Sequence, residues 1–226
     1  DAIGGTWRFD GTTACYASLR TNTSKRAMAF SDYALPEDYP DFPTHAQLLA
    51  WFNAYVDHFG FRDRIAFNAA VTKVTRHEDH RWQLEVNGAD ASEFGAVIVA
   101  SGNYRKPRLP GFPGTFDGPT LHGHDYLDPK RPIDFSGKRV LVVGLGSTAA
   151  DIASELAEEG NAGKVYLAAR SGAYIFPRQI RRVALDARIQ HPSDEPEGLL
   201  RYLPRPLRDT VFYSAGRKMI RRVQGI

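Results

Sequence analysis

The chain has 226 residues, of which 42% are hydrophobic and 24% charged, with a formal net charge of +3. That composition supports a sizeable core and argues against disorder, and the length admits one large domain or two small ones. No apolar run approaches the roughly 18–20 residues of a membrane helix, and the single Cys15 excludes an intrachain disulfide or a cysteine-based metal cluster. A lone cysteine fits a reducing compartment, so the cytoplasm is the expected location. The charge is uneven. Residues 170–226 carry 12 Lys/Arg against 5 Asp/Glu, a local +7, and residues 1–169 carry 17 against 21, a local −4. A basic tail can meet nucleic acid, an anionic membrane surface or a phosphorylated cofactor. Most of these arginines are read as a solvated face, so no nucleic-acid partner is expected. Membrane contact and homo-oligomerisation stay open.

Residues 1–36 show no steady period. Asp1 to Phe9 reads as a glycine turn leading into an exposed Trp7. Ser18 to Lys25 is a small polar run rich in hydroxyl and amide groups, placed before Met28, Phe30 and Tyr33. Such a run between apolar flanks can line a polar ligand, although ordinary loops look similar. Thr44-x-x-Gln47 is a capping-box pattern after Pro43, and it predicts a helix start. Leu48, Leu49, Phe52, Tyr55, Val56 and Phe59 then recur at helical spacing, and Gly60 ends the helix. His45 and His58 are read as surface or capping residues.

From Arg64 to Ala100 the pattern becomes strand-like. Ile65–Phe67, Ala70–Thr75, Trp82–Val86 and Phe94–Ala100 are the predicted strands, with turns at 77–80 and 87–90. His77 and His80 lack a partner at metal-ligand spacing and are not read as ligands. Prolines and glycines between 102 and 114 mark a stiff connector, and the domain change is placed between about 104 and 136.

The best-marked stretch follows. Val140–Val143 is a short apolar run without helical period, predicted as a buried strand. Gly144-x-Gly146-x-x-Ala149 comes next, and Ile152, Ala153, Leu156 and Ala157 form a helical apolar stripe. This is the order of a dinucleotide-binding βαβ unit: Gly144 for the tight turn, Gly146 for close approach of a pyrophosphate, Ala149 for helix–strand packing. The helix N-terminus would offer N–H groups and a positive dipole end. Gly144, Gly146, Ser147, Thr148, Ala149, Ala150 and Asp151 are therefore the candidate cofactor residues, a plain α/β turn being the alternative. The second strand is Lys164–Ala169, and Arg170 lies just past its end, 26 residues beyond Gly144. An acidic residue here suits the ribose 2′-OH of NAD, whereas a cation suits a 2′-phosphate. No Asp or Glu occurs between Lys164 and Arg181, so Arg170 points to NADPH, with a surface-loop arginine as the alternative. Arg178 to Leu185 reads as a basic helix, and a second amphipathic stretch starts near Pro206. Ser147 lacks the residues of a nucleophile elbow, and no His-Glu-x-x-His is present.

Together these stretches resemble the flavin-containing monooxygenases. Four blocks carry the resemblance in the family's order. They are Gly4-Gly5-Thr6-Trp7-Arg8-Phe9, the Thr-Asn loop Ser18–Lys25, the motif Phe116-x-Gly118-x-x-x-His122-x-x-x-Tyr126, and the glycine turn at 144. The resemblance spans about residues 1–178. It departs at Arg20, Ser101, Thr148 and Ala149. It implies an α/β fold with two nucleotide-binding, Rossmann-like domains, the FAD domain incomplete. Residues 1–126 would be a partial FAD-binding domain with a helix and a β-rich segment, and 127–226 an NADPH-binding domain with a basic helical tail. The flavin's own glycine fingerprint is expected roughly 30 residues before residue 1.

The implied activity is oxidoreductase chemistry of the N,N-dimethylaniline monooxygenase type. FAD, NADPH and O₂ would oxygenate a nucleophilic nitrogen or sulfur of a small-molecule substrate through a flavin C4a-hydroperoxide. Asn22 is the implied catalytic residue, flanked by Thr21 and Thr23, with Thr6 and Trp7 beside the flavin. Phe116, Gly118, His122 and Tyr126 would form the motif at the hinge, with His122 and Tyr126 structural or NADP-contacting rather than acid and base. Two alternatives remain. One is a Baeyer–Villiger monooxygenase acting on ketones, whose motif usually ends in Trp where Tyr126 stands. The other is a non-catalytic NADP(H)-binding module.

Overall fold

The computed structural model describes residues 2–172, 177–180, 182–186 and 204. Its elements in chain order are a 3₁₀ turn Gly5–Trp7, α1 (Lys25–Met28), α2 (His45–His58), a 3₁₀ turn Arg62–Arg64, β1 (Val71–Arg76), β2 (Trp82–Val86), β3 (Ala89–Phe94), a 3₁₀ turn Gly123–Asp125, β4 (Arg139–Val143), α3 (Ser147–Leu156), β5 (Lys164–Ala168), β6 (Gln179–Ile180) and β7 (Val183–Ala184). Two compact units are built from alternating segments: Asp1–Thr21 with Pro43–Ala169, and Asn22–Phe42 with Arg170–Ile226. The segment 104–136, where a domain change is predicted, lies inside the first unit. The amphipathic stretch from Pro206 falls outside the described residues.

In the first unit β4 and β5 pair in parallel, from Arg139↔Lys164 to Val143↔Ala168, and α3 is the crossover between them. Parallel strands need such a crossover, and an apolar helix face must cover the sheet. Ile152 and Leu156 of α3 join Tyr16 and Tyr126 in a buried cluster, against which Val140, Val142 and Val165 pack. Burying each such aliphatic side chain is worth roughly 1.5–3 kcal/mol. The predicted buried strand is covered on one face only. Val140 and Val142 turn toward α3, whereas Leu141 and Val143 are 61% and 54% exposed. Period-two alternation sends them to the other side, where no described element packs. Gly163 closes the unit: a Cβ there would lie 2.6 Å from the Gly137 carbonyl oxygen.

Helix α2 starts as predicted. Thr44 Oγ1 accepts from the Gln47 amide and the Thr44 amide donates to Gln47 Oε1, at 3.3 and 3.0 Å. It ends before Gly60, whose φ of +63° suits glycine. The buried side chains are Leu48, Trp51 and Val56, so Trp51 replaces Phe59 of the predicted stripe; Phe59 is 44% exposed.

Strands β1, β2 and β3 form an antiparallel meander. Two strand boundaries depart from prediction. Asn87 and Gly88 both have positive φ, a two-residue turn, so β3 already begins at Ala89. It ends at Phe94, opposite Trp82 at the start of β2. The predicted strand through Ala100 does not form, and Ile98 is 90% exposed. Beyond Trp82 the meander offers 95–100 no further strand to pair with. Ile65–Phe67 likewise stays irregular.

In the second unit the 22–42 loop carries α1, capped by Ser24, whose hydroxyl accepts from the Ala27 amide. Lys25 Nζ donates to the carbonyls of Glu37 and Tyr39 at 2.5 and 2.6 Å. The predicted basic helix after Pro177 is instead the hairpin β6–β7, pairing Gln179 with Ala184 and Ile180 with Val183. β-branched Ile180 and Val183 favour the pleat, and Arg182 takes the positive φ of +63° in the tight turn.

Candidate functional site

The glycine turn has the geometry its sequence implies. Gly144 sits at φ +122°, a conformation open to glycine, and its amide donates to the Ala168 carbonyl at 2.8 Å. Gly146 is the N-cap of α3 and supplies no side-chain cap, so the first helical N–H groups lack that partner. The space where a Gly146 Cβ would stand is open. A Cβ placed on Gly144 would be 3.8 Å from the Ala149 methyl, which is ordinary van der Waals contact. Ser147 and Thr148 are exposed, and Ala149 and Ala150 are half-buried. An uncapped helix start behind a bare glycine is a cradle that fits a pyrophosphate.

Asp151 has a different setting from the rest of the turn. Its carboxylate accepts a hydrogen bond from Tyr16 at 2.7 Å. One helical turn on, Glu155 accepts from Tyr126 at 2.8 Å. The two tyrosine rings meet edge to face at 6.2 Å, and both are almost fully buried. Burial, followed by the hydrogen bond to Glu155, pushes the Tyr126 hydroxyl far above the usual phenol range, so it stays a neutral donor. Tyr16 and Glu155 are supports that the sequence reading did not single out. The available signal was two carboxylates four residues apart, beside the apolar stripe of α3.

The 3₁₀ turn inside the 116–126 motif packs on the same helix. His122 caps the 3₁₀ turn: its Nδ1 accepts from the His124 amide at 3.0 Å, which assigns the proton of the neutral ring to Nε2. A Cβ on Gly123 would contact Thr148 and Ile152 at 3.5 and 3.6 Å. At Gly118 a Cβ would strike the Phe116 ring at 2.5 Å, so glycine makes room for that exposed phenyl. His122 caps the 3₁₀ turn and Tyr126 is tied to α3, both within the first unit.

Thr6, Trp7 and Thr21 also belong to the first unit. Gly4, at φ +111°, packs so closely on α2 that a Cβ would collide with Leu49 Cδ1. Gly4 is the N-cap of the 3₁₀ turn bearing Thr6 and Trp7, and Trp7 is half-buried rather than exposed. The Thr21 amide donates to the Pro43 carbonyl, while its side chain is 1% exposed and its Oγ1 has no hydrogen-bond partner. A buried hydroxyl left so costs about 1–3 kcal/mol, which a bound ligand can restore. His45, predicted as surface or cap, is half-buried against Phe9 at 5.4 Å, with Nδ1 buried and unpartnered. These orphaned atoms fit the polar edge of a flavin. Asn22, Thr23 and Arg170 are exposed and belong to the second unit. Asn22 Oδ1 accepts from Arg178 Nη2 at 2.8 Å. Among the described residues no group of three or more His, Cys, Asp or Glu could hold a metal ion.

The family described as flavin-binding monooxygenase-like matches residues 1–187. The chain belongs to this family. Among its relatives is dimethylaniline monooxygenase [N-oxide-forming] 2 of Cavia porcellus, 39% identical over 193 residues that cover 78% of this chain and 35% of that protein. Among solved structures, the S-allyl-L-cysteine S-oxygenase from Allium sativum superposes with a TM-score of 0.67 at 25% identity, covering 81% of this chain and 48% of that one. OTEMO in complex with FAD and NADP gives a TM-score of 0.57 at 26% identity over 74% of this chain and 32% of that one. The α/β, Rossmann-type fold expected from the sequence is the fold of these monooxygenases. The chain spans about a third of the length of the curated relatives it matches.

Proposed function

We propose that the full-length protein is an NADPH-dependent flavin monooxygenase that oxygenates a nucleophilic nitrogen or sulfur of a small molecule, with O₂ as co-substrate. The observation that carries this reading is the presence in one family chain of two complementary features. These are an uncapped glycine turn on α3 and a Thr-Asn loop whose buried Thr21 hydroxyl lacks a protein partner. The relatives support the substrate class, one named as N-oxide-forming and one as an S-oxygenase.

When bound, NADPH supplies the hydride and FAD the oxygen chemistry, while the protein binds, orients and excludes water. On this reading Gly144, Gly146 and the N–H groups opening α3 hold the NADPH pyrophosphate, and the Arg170 guanidinium pairs with the 2′-phosphate. Thr6, Trp7 and the Thr21 hydroxyl face the flavin. Asn22 presents its amide to the reacting atoms, with Thr23 beside it. Tyr126 ends the 116–126 motif in place of the Trp usual in the ketone-oxidising alternative, which favours nitrogen and sulfur substrates. The test is the visible spectrum of the purified full-length protein, followed by product analysis on an amine, a thioether and a cyclic ketone. Visible absorbance from bound oxidised flavin and an N-oxide or S-oxide product are expected. Absence of flavin, or lactone as the only product, overturns the reading.

A further inference from the structure

The hairpin β6–β7 does more than follow the nucleotide-binding strand. It is tied to the 22–42 loop at three places. Arg178 Nη2 donates to Asn22 Oδ1 at 2.8 Å, Gln179 Nε2 donates to Asp41 Oδ2 at 3.0 Å, and the Ser24 amide donates to Asp186 Oδ2 at 2.6 Å. The hairpin is closed by the Leu185 amide donating to the Arg178 carbonyl at 2.9 Å. The Arg178 guanidinium also lies 6.0 Å from the Phe42 ring centroid, so its head is held from two sides.

We propose that Arg178 is a positioning residue for Asn22, fixing which half of the Asn22 amide is offered to the reaction. Donors and acceptors decide how the amide is turned. A guanidinium carries five N–H donors and no acceptor. The Asn22 atom facing it is therefore the oxygen, because a flipped amide would set two donors against each other. With Oδ1 engaged, the amide offers its NH₂ group outward as a donor. A free amide presents both an acceptor and a donor, and the contact with Arg178 decides between them. Asp186 holds the loop backbone at Ser24 and Gln179 holds the Asp41 side chain, so the loop that carries Asn22 is tied to the same hairpin at both of its ends. Lysine at 178 would keep the charge and a donor on a shorter-reaching, rotatable head, and would serve less well.

This inference rests on the role proposed for Asn22. The test uses the full-length flavoprotein with Asn22→Ala, Arg178→Ala, Arg178→Lys and the Asn22/Arg178 double alanine variant. Coupling is read as the share of NADPH that ends as oxygenated product rather than H₂O₂. Arg178→Ala should raise the H₂O₂ share about fivefold through a misplaced amide, Arg178→Lys less. The double variant should be no worse than Asn22→Ala, because the two residues act as one unit. Independently of turnover, hydrogen exchange in peptides covering 22–42 should quicken in Arg178→Ala and stay closer to wild type in Arg178→Lys. If Asn22→Ala uncouples the enzyme but Arg178→Ala changes neither coupling nor exchange, or if the two effects simply add, Arg178 has no positioning role. If Asn22→Ala leaves coupling intact, the proposed role of Asn22 falls and this inference falls with it.

Discussion

Arg170 and Cys15 show how much one side chain's surroundings decide. Arg170 is exposed at the end of β5 with no carboxylate between Lys164 and Arg181 to compete for it. Arg170→Ala is expected to raise the KM for NADPH about tenfold or more, the loss of one charge-assisted contact of roughly 1.5–3 kcal/mol. The KM for NADH should scarcely move, and steady-state kinetics with both nucleotides checks it. An equal change for both removes Arg170 from the 2′-phosphate. Asn22→Ala should lose oxygenated product while NADPH oxidation continues to H₂O₂, and an unchanged product yield would refute its role. Cys15 is fully buried, and burial, followed by the nearby Asp10 charge, pushes its thiol from 9.0 up to about 11. The folded state therefore favours the neutral thiol. Its contribution to stability is complete below pH 9.0 and is lost as pH rises toward about 11. Alkylation of the native protein near neutral pH should be slow compared with the unfolded chain.

At the level of elements, α3 is held by pairs of polar groups as well as by its apolar stripe. Tyr16 and Tyr126 donate to Asp151 and Glu155 on successive turns. Tyr126→Phe keeps the ring packing but leaves the Glu155 carboxylate without that donor. A loss of about 1–3 kcal/mol is expected by urea denaturation, larger than that of an exposed Tyr→Phe change. Thr44→Ala removes the capping box of α2 and should cost about 1 kcal/mol in the same assay. The contrast between these two sites explains what was legible. The capping box is local, so Thr44 and Gln47 announce it three letters apart. The βαβ unit is equally local in pattern, because strand, glycine turn and stripe follow one another without a gap. The tyrosine–carboxylate pairs join residues 135 and 29 positions apart, and no sequence period marks them. The β6–β7 hairpin differs from the helix predicted there for a related reason. Arginines and short apolar residues satisfy both periods over so few positions, and the contacts with the 22–42 loop decide between them.

For the molecule as a whole, two compact units each draw on separate stretches of chain, and the proposed residues divide between them. Any ligand that binds only the folded state raises its stability by mass action, about 2.7 kcal/mol at a hundredfold excess over Kd. NADP⁺ should therefore raise the thermal midpoint of the full-length protein more than the same concentration of NAD⁺, and equal shifts would argue against a 2′-phosphate site. The sequence by itself determined the family, the βαβ unit with its bare glycine turn, the helix start at Thr44 and the cation after the second strand. Each of these is written in neighbouring residues, where propensity and spacing act directly. Only the tertiary structure decided that Asp151 and Glu155 are held by buried tyrosines, that Thr21 keeps a buried hydroxyl in want of a partner, and that Arg178 grips Asn22. Those facts depend on which distant side chains the fold brings together, and burial at Tyr16, Tyr126 and Thr21 turns an ordinary hydroxyl into a group that needs a partner.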